Sequence, residues 1–358
     1  MSELTVLWFG ATTPVLSQLP GWYVYGFSFL FGAIVGSFLN VCILRIPEEG
    51  VSIFYPRNSR CPECKYEIKW YDNVPIVSWL LLRGKCRSCK TPISLMYPLV
   101  ELITAVMAVA VVKHFGLKPV SLIWFALICA LIVITFIDMA YWIIPDVISL
   151  PGIVIGIVCA YFIGPPGLPH WKDAVIGAAV GGGLFLFISY GYAWLRGREG
   201  MGMGDAKLLG MLGAFLGWKM LPLVILLASA QGLAAALLLY TLGWREGAPE
   251  YDEDEDIPEE HKHSKASEPD ADPEENMAES LEEAMEREDA EESEQEPVVA
   301  SPEETEKLAE DAELDEEEED VGLQGIAIPF GPFLSLAAIE VLFWGEQIYV
   351  WLARVLRF

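Results

Sequence analysis

Eight long apolar segments constrain what this 358-residue chain can fold into more than any other feature. About 20 apolar residues in a helix cross the core of a bilayer. With 53% hydrophobic residues, the chain is too apolar for a soluble protein of its size. The candidate spans are residues 22–44, 97–115, 119–137, 147–164, 174–195, 206–219, 221–243 and 326–345. We therefore predict an all-α polytopic membrane protein with about eight transmembrane helices.

The stretch around residues 206–243 allows two interpretations. Lys219 and Pro222 interrupt it, which favours two spans joined as a tight hairpin. The alternative is one long helix with a kink, and it would reverse the topology of everything that follows. Small residues at four-residue spacing, such as Gly177 and Gly181, suit close packing of the helices.

Charge is concentrated in one region of the chain. Residues 246–320 carry 36 of the 50 acidic and 4 of the 23 basic residues, so the rest of the chain has a net charge of +5 against −27 overall. An acidic segment poor in aromatic residues cannot bury enough apolar surface to fold, and we predict disorder. Its role is open between a solvated insertion and an electrostatic attractant for a basic substrate or partner.

The charge pattern and the apolar segments together divide the chain into five regions. We predict an N-terminal segment with the first transmembrane helix (1–44), a cytoplasmic four-cysteine domain (45–96), a membrane catalytic domain (97–245), the acidic disordered insert (246–322), and a last transmembrane helix with the C-terminus (323–358).

The loop at residues 45–96 fixes the predicted orientation. It holds the largest concentration of basic residues in the chain, which predicts a cytoplasmic location. Those residues are Arg45, Arg57, Arg60, Lys65, Lys69, Arg83, Lys85, Arg87 and Lys90. Threading the spans alternately from this loop delivers Asp138, Asp146 and Asp205 to the same cytoplasmic edge.

Four cysteines in this loop form two CxxC pairs. Cys61 and Cys64 are followed, after 21 residues, by Cys86 and Cys89. Two such pairs supply four thiolates for a tetrahedral zinc site, and that spacing is slightly longer than usual for a zinc ribbon. Since disulfides are rare in the cytoplasm, we predict structural zinc, with free or redox-active thiols as the alternative.

Asp138 and Asp205 are the candidates for chemistry. A carboxylate at a membrane edge is costly and marks a candidate functional site. Two carboxylates that share a water can hydrolyse a peptide bond, one as general base and the other as general acid. The glycines of residues 202–205 (GMGD) permit unusual backbone angles and close approach of another chain. Each aspartate alone could equally mark the polar end of a span.

Two neighbouring charged residues have simpler interpretations. Asp146 follows Pro145 at the start of a span, so we predict that it caps that helix. Lys207 could bias Asp205 toward its ionised form, but a lysine at the membrane surface is the simpler interpretation.

Two rival functions use the same residues differently. In an ion-coupled transporter the aspartates would form a proton or cation path. Such proteins often show repeats and midplane sites, whereas these acids gather at one face. A membrane-anchored zinc adapter would leave the aspartates without a role.

Several motifs resemble those of the bacterial type IV prepilin peptidases. They are residues 36–41 (GSFLNV), the two CxxC pairs, 97–102 (YPLVEL), 138–146, 202–209 (GMGDAKLL) and 329–333 (PFGPF). The resemblance covers nearly the whole membrane body in the same order. It departs from the family at the acidic insert, where related enzymes have a short loop.

This resemblance implies a multi-pass aspartic protease of the bacterial inner membrane, of the GxGD type. Its catalytic residues would be Asp138 and Asp205, and its zinc ligands the four loop cysteines. The family removes the basic leader of type IV prepilins or type II secretion pseudopilins at the cytoplasmic face, just after a glycine. Bifunctional members also methylate the new N-terminus with S-adenosylmethionine. No glycine-rich nucleotide fingerprint supports this second activity here, and no nucleic-acid partner is expected.

Overall fold

A computed structural model describes residues 20–48, 52, 55, 60–61, 63–196, 203–242 and 328–355 of the chain. Within these residues the fold is helical, and the β-structure consists of two isolated bridges without a sheet. The chain divides into two units, Met1–Leu242 with Ile328–Phe358, and Gly243–Ala327. The predicted acidic insert, with its predicted disorder, lies outside the described residues.

Nine α-helices occur in the described part of the chain. They are α1 (Gly21–Arg45), α2 (Val77–Leu81), α3 (Met96–Phe115), α4 (Pro119–Tyr141), α5 (Asp146–Phe162), α6 (Trp171–Arg196), α7 (Met203–Leu216), α8 (Leu221–Thr241) and α9 (Gly331–Val355). Each of the eight predicted apolar segments corresponds to one of these helices. The ninth helix, the short α2, was not predicted. The prediction of an all-helical membrane body is therefore confirmed.

The lengths of the helices bear on the number of membrane crossings. Among the described residues, five helices are long and apolar enough to cross a membrane: α1, α3, α4, α8 and α9. Helix α5 is apolar but shorter, with 17 residues. These helices support a multi-pass membrane protein, while the figure of eight crossings stays a prediction.

The local sequence explains where several helices begin and end. Gly116 ends α3 with a φ of 77°, a conformation that glycine adopts without steric cost. Pro119 is the first residue of α4, where its missing N–H costs nothing. Gly217, with a φ of 79°, ends α7 before α8 begins at Leu221. The break excludes one long helix across residues 206–243.

Neighbouring helices run in opposite directions, as their contacts show. Gly32 of α1 faces Ala105 and Ala108 of α3, while Gly36 faces Glu101 and Thr104, so α1 and α3 are antiparallel. The same reasoning makes α6 antiparallel to α7, and α8 antiparallel to α9. Each of the eight long helices therefore has one end on the side of the bundle where Asp138 lies. We call this side the Asp138 end.

Helix α4 forms the centre of the bundle. Its side chains Ile128, Ile134 and Ile137 are 0% exposed. Helix α7 is similarly enclosed, because α6 approaches it so closely that a Cβ on Gly177 or Gly213 would overlap backbone atoms. This confirms the predicted role of Gly177 in close packing. The two helices that carry Asp138 and Asp205 are thus the best-buried parts of the bundle.

Candidate active site and cysteine cluster

Asp138 lies in the last turn of α4 and is buried, with 5% of its surface exposed. Trp142 ends the helix in a left-handed conformation, and its N–H donates to the Asp138 carbonyl at 3.0 Å. The carboxylate oxygen Oδ2 has no hydrogen-bond partner within the described ranges. Since buried polar atoms are nearly always paired, such an atom requires an explanation. A carboxylate held for an incoming substrate or water supplies one.

Asp205 lies in the first turn of α7 and is partly buried. Gly204, which precedes Asp205, and Gly331, which lies against the Asp138 carboxylate, both lie against Ile144. The structure therefore brings together the two aspartates, which are 67 positions apart in the sequence. Two carboxylates at one site can serve as the acid and the base of a hydrolysis when one is protonated and the other is ionised.

Gly331 and Ile144 complete the surroundings of the pair. Gly331 is the first residue of α9, and a Cβ there would overlap the Asp138 carboxylate. Ile144 lies between Gly204 and Gly331, because it would contact an added Cβ on Gly204 at 3.0 Å and on Gly331 at 3.2 Å. Both residues lie inside motifs noted in the sequence, Gly331 in 329–333 and Ile144 in 138–146, but neither motif indicated that they pack beside the aspartates.

Gly204 differs in part from its predicted role. It belongs to the first turn of α7 and has no left-handed conformation, so unusual backbone angles are not its function. It lies instead against Ile144 of the same chain, where an added Cβ would approach to 3.0 Å, and the close approach of another chain stays a prediction. Gly202, the other glycine of the motif, lies outside the described residues.

The predicted cap at Asp146 is wrong. Asp146 is the first residue of α5, Pro145 occupies the cap position, and no side chain caps the helix. Its carboxylate instead accepts two hydrogen bonds from Lys207 Nζ, at 2.6 and 2.8 Å. The pair joins α5 to α7 beside Asp205. Lys207 is thus more than a membrane-surface lysine, and it pairs with Asp146.

The four loop cysteines form one cluster. Their sulfur atoms all lie within 4.8 Å of one another, with Cys61 Sγ 3.8 Å from Cys89 Sγ and Cys64 Sγ 4.0 Å from Cys86 Sγ. Zinc–sulfur bonds of about 2.3 Å in a tetrahedron place sulfurs about 3.8 Å apart. The cluster therefore fits a tetrahedral metal ion of this kind.

The two cysteine pairs have the same backbone geometry, offset by 25 residues. The Cys61 N–H donates to the Tyr66 carbonyl at 3.0 Å, and the Cys86 N–H donates to the Thr91 carbonyl at 2.9 Å. Bridges join Arg60 to Glu67 and Lys85 to Pro92 at the same offset. Beyond the CxxC spacing this repeat has no sequence signal, because backbone hydrogen bonds rather than side chains form it.

The segment between the pairs is tied to the cluster by an ion pair. Arg87 donates to both carboxylate oxygens of Asp72, through Nε at 2.7 Å and through a terminal nitrogen. These hydrogen bonds hold the pKa of Asp72 below its usual value. A hydrogen bond from the Thr91 hydroxyl similarly lowers the pKa of Cys89 to about 6.

Two family descriptions match the chain. The Bacterial Peptidase A24 N-terminal domain matches residues 30–115, which include the C-terminal part of α1, the cysteine cluster and α3. The Type IV leader peptidase family matches residues 125–237, which include Asp138 and Asp205.

Curated relatives agree with these matches. A prepilin leader peptidase/N-methyltransferase of Myxococcus xanthus (strain DK1622) is 38% identical over 345 residues, covering 95% of this chain and 96% of that protein. Proteins of the same name from Aeromonas hydrophila and Neisseria gonorrhoeae are 40% and 38% identical, covering 59% of this chain and 79% and 80% of their own lengths. No solved structure matches significantly.

The fold and the site define a multi-pass membrane protein with a paired-carboxylate centre and a four-cysteine loop. The chain belongs to the type IV leader peptidase family. The relatives give no support to the ion-coupled transporter interpretation.

Proposed function

We propose that the chain is a prepilin leader peptidase and N-methyltransferase in which Asp138 and Asp205 cleave the leader. Its substrates would be type IV prepilins or type II secretion pseudopilins. Leader removal would occur at the cytoplasmic face of a bacterial inner membrane. The observation that carries the proposal is that packing around Ile144 brings the two aspartates to one site, where the buried Asp138 Oδ2 has no hydrogen-bond partner among the described residues.

The pair is suited to hydrolysis of a peptide bond. The ionised carboxylate removes a proton from a water as that water attacks the scissile carbonyl. The protonated carboxylate donates its proton to the leaving amine. A buried site strengthens these electrostatic interactions because it excludes bulk water. Gly331 and Ile144 restrict how the two carboxylates can move relative to each other.

The second activity requires a methyl donor and a metal-stabilised loop. S-adenosylmethionine, which the N-methyltransferase names of the relatives imply, would supply an electrophilic methyl group when bound. Cys61, Cys64, Cys86 and Cys89 would hold a structural zinc ion. Four sulfur ligands leave no open coordination position, so this metal would organise the loop at residues 45–96 rather than act on substrate.

Single substitutions of the aspartates test the proposal. Asp138→Asn and Asp205→Asn, each alone, are expected to reduce leader cleavage of a purified prepilin at least about 100-fold. Asp146→Asn is the matched control, because Asp146 lies at the same end but is exposed and paired with Lys207. Full cleavage by either of the first two variants would refute the assignment.

A further inference from the structure

A cavity of about 540 Å³ lies between the cysteine loop and the adjoining ends of α1 and α3. Pockets of about 300–1,000 Å³ are typical of small-molecule sites. The cavity is separate from the aspartate pair, since neither Asp138 nor Asp205 lines it. No residue has so far been assigned to the methyl donor, and this cavity is a candidate for it.

Two buried polar side chains on apolar helices face this cavity. Asn40 of α1 is 3% exposed, and its Nδ2 donates to the Tyr97 carbonyl at 3.1 Å. That hydrogen bond directs the amide so that Oδ1 has no partner in the described part of the chain. Glu101 of α3 is 8% exposed and also lines the cavity. Asn40 therefore presents an acceptor oxygen and Glu101 a carboxylate, one oxygen of which accepts from the Ile76 N–H, and this wall suits a ligand with N–H groups or positive charge.

A strained backbone segment adjoins these residues. Ile76 has a φ of 62° and a ψ of −50°, and the Val77 N–H donates back to the Pro75 carbonyl, which is the pattern of a γ-turn. A β-branched residue with positive φ is a genuine outlier. The Ile76 N–H donates to Glu101 Oε2 at 2.6 Å, so the carboxylate holds this turn in place. Strain of this kind clusters at ligand sites.

The remaining walls narrow the class of ligand. Tyr66, Trp79 and Tyr97 supply aromatic surface of the kind on which a purine base can stack. Arg45 and Arg60 also line the cavity and supply positive charge for a carboxylate. The methyl donor that the second activity needs has a cationic sulfur, a purine base and a carboxylate. The cavity offers acceptors for the cation, aromatic rings for the base and arginines for the carboxylate. We propose that this cavity binds S-adenosylmethionine, with Asn40 and Glu101 as its polar anchors.

The position of the cavity agrees with the order of the two reactions. It opens at the C-terminal end of α1 and the N-terminal end of α3, which is the Asp138 end of the bundle. The new N-terminal amine is produced at that same end. In the transfer, the neutral amine forms a C–N bond to the methyl carbon while the C–S bond breaks. The electron pair of the broken C–S bond stays on sulfur, which becomes a thioether. The methylated amine then loses a proton to solvent.

Binding of labelled S-adenosylmethionine to the full-length protein tests the site. Glu101→Gln and Asn40→Leu are each expected to raise the dissociation constant about tenfold or more, because the first replaces a carboxylate oxygen with an N–H donor and the second removes an acceptor. Thr104→Val is the matched control, since Thr104 is buried one turn from Glu101 but does not line the cavity. Melting temperature and bound metal establish that each variant is folded.

A second measurement does not depend on any variant folding. Ultraviolet crosslinking of the bound ligand to the unaltered protein, followed by peptide mapping, is expected to label residues 66–101. Crosslinks to residues 138–216 instead, or unchanged affinity in both folded variants, would overturn the location. The inference rests on the proposed methyltransferase function, and the two fail differently. Absence of any binding by the unaltered protein would refute the use of this donor, whereas binding without the predicted changes would refute only the site.

Discussion

Gly331→Ala offers the sharpest test of how the aspartate pair is held. A Cβ at Gly331 would overlap Asp138 Oδ2 and lie 3.2 Å from both Asp138 Cγ and Ile144 Cδ1. Ordinary contacts to a Cβ fall at 3.4–4 Å, so the carboxylate and the start of α9 must separate by about 1 Å. A displacement of about 1 Å at a catalytic group costs about 100-fold in rate, or about 2.7 kcal/mol of transition-state stabilisation.

The assay is kcat/KM for leader cleavage by protein in detergent or nanodiscs. Gly232→Ala is the matched control, because Gly232 of α8 faces Phe333 of α9 at 3.6 Å, where a methyl group fits. Both variants should retain their bound metal and their binding of S-adenosylmethionine, since the cavity is lined by other residues. If Gly331→Ala cleaves within about threefold of the unaltered protein while Asp138→Asn is inactive, then the close approach of Gly331 does not position the carboxylate.

Four further predictions follow from other contacts. Asp146→Asn and Lys207→Ala should each change stability by less than about 1 kcal/mol, because the pair is substantially exposed, and a double-mutant cycle measures their coupling. Arg87→Ala should lower the stability of the cysteine loop by about 1–3 kcal/mol and speed its proteolysis, because it removes the partner of an Asp72 side chain that is 5% exposed. Adding Asp72→Asn should restore part of the loss. Unchanged proteolysis of Arg87→Ala would contradict the role of the pair. Cys64→Ser should lower the metal content measured by elemental analysis, whereas Cys159→Ser, on α5, should not. Deletion of residues 250–318 should leave cleavage unchanged at every ionic strength if the insert is only solvated, while a loss confined to low salt would identify an electrostatic attractant.

Much of the fold and the site could be predicted from sequence because each rests on a local signal. Long apolar segments predict helices, and alternate threading of those helices already places Asp138 and Asp205 on one side. The CxxC spacing predicts the cluster at Cys61, because four sulfur ligands need little more than two turns of the right shape.

The features that sequence reasoning missed depend on contacts between distant segments. Asp146 looked like a cap because its partner, Lys207, is 61 residues away and is brought near only by the packing of α5 on α7. Asn40 and Glu101 were visible as parts of motifs, and polar residues inside apolar helices are a signal that could have singled them out. The conformation of Ile76 had no signal, since a β-branched residue is the least expected at positive φ.

The close contact of α6 with α7 has a consequence for how the site can be controlled. Helix α7 has only 14 residues and packs mainly against α5 and α6, so those helices largely position Asp205. Asp138 belongs instead to α4, which packs with α9, and α9 in turn packs with α8. The dyad is thus divided across a seam between two groups of helices. A compound that wedges into this seam would inactivate the peptidase without touching either carboxylate, because a separation of about 1 Å is enough.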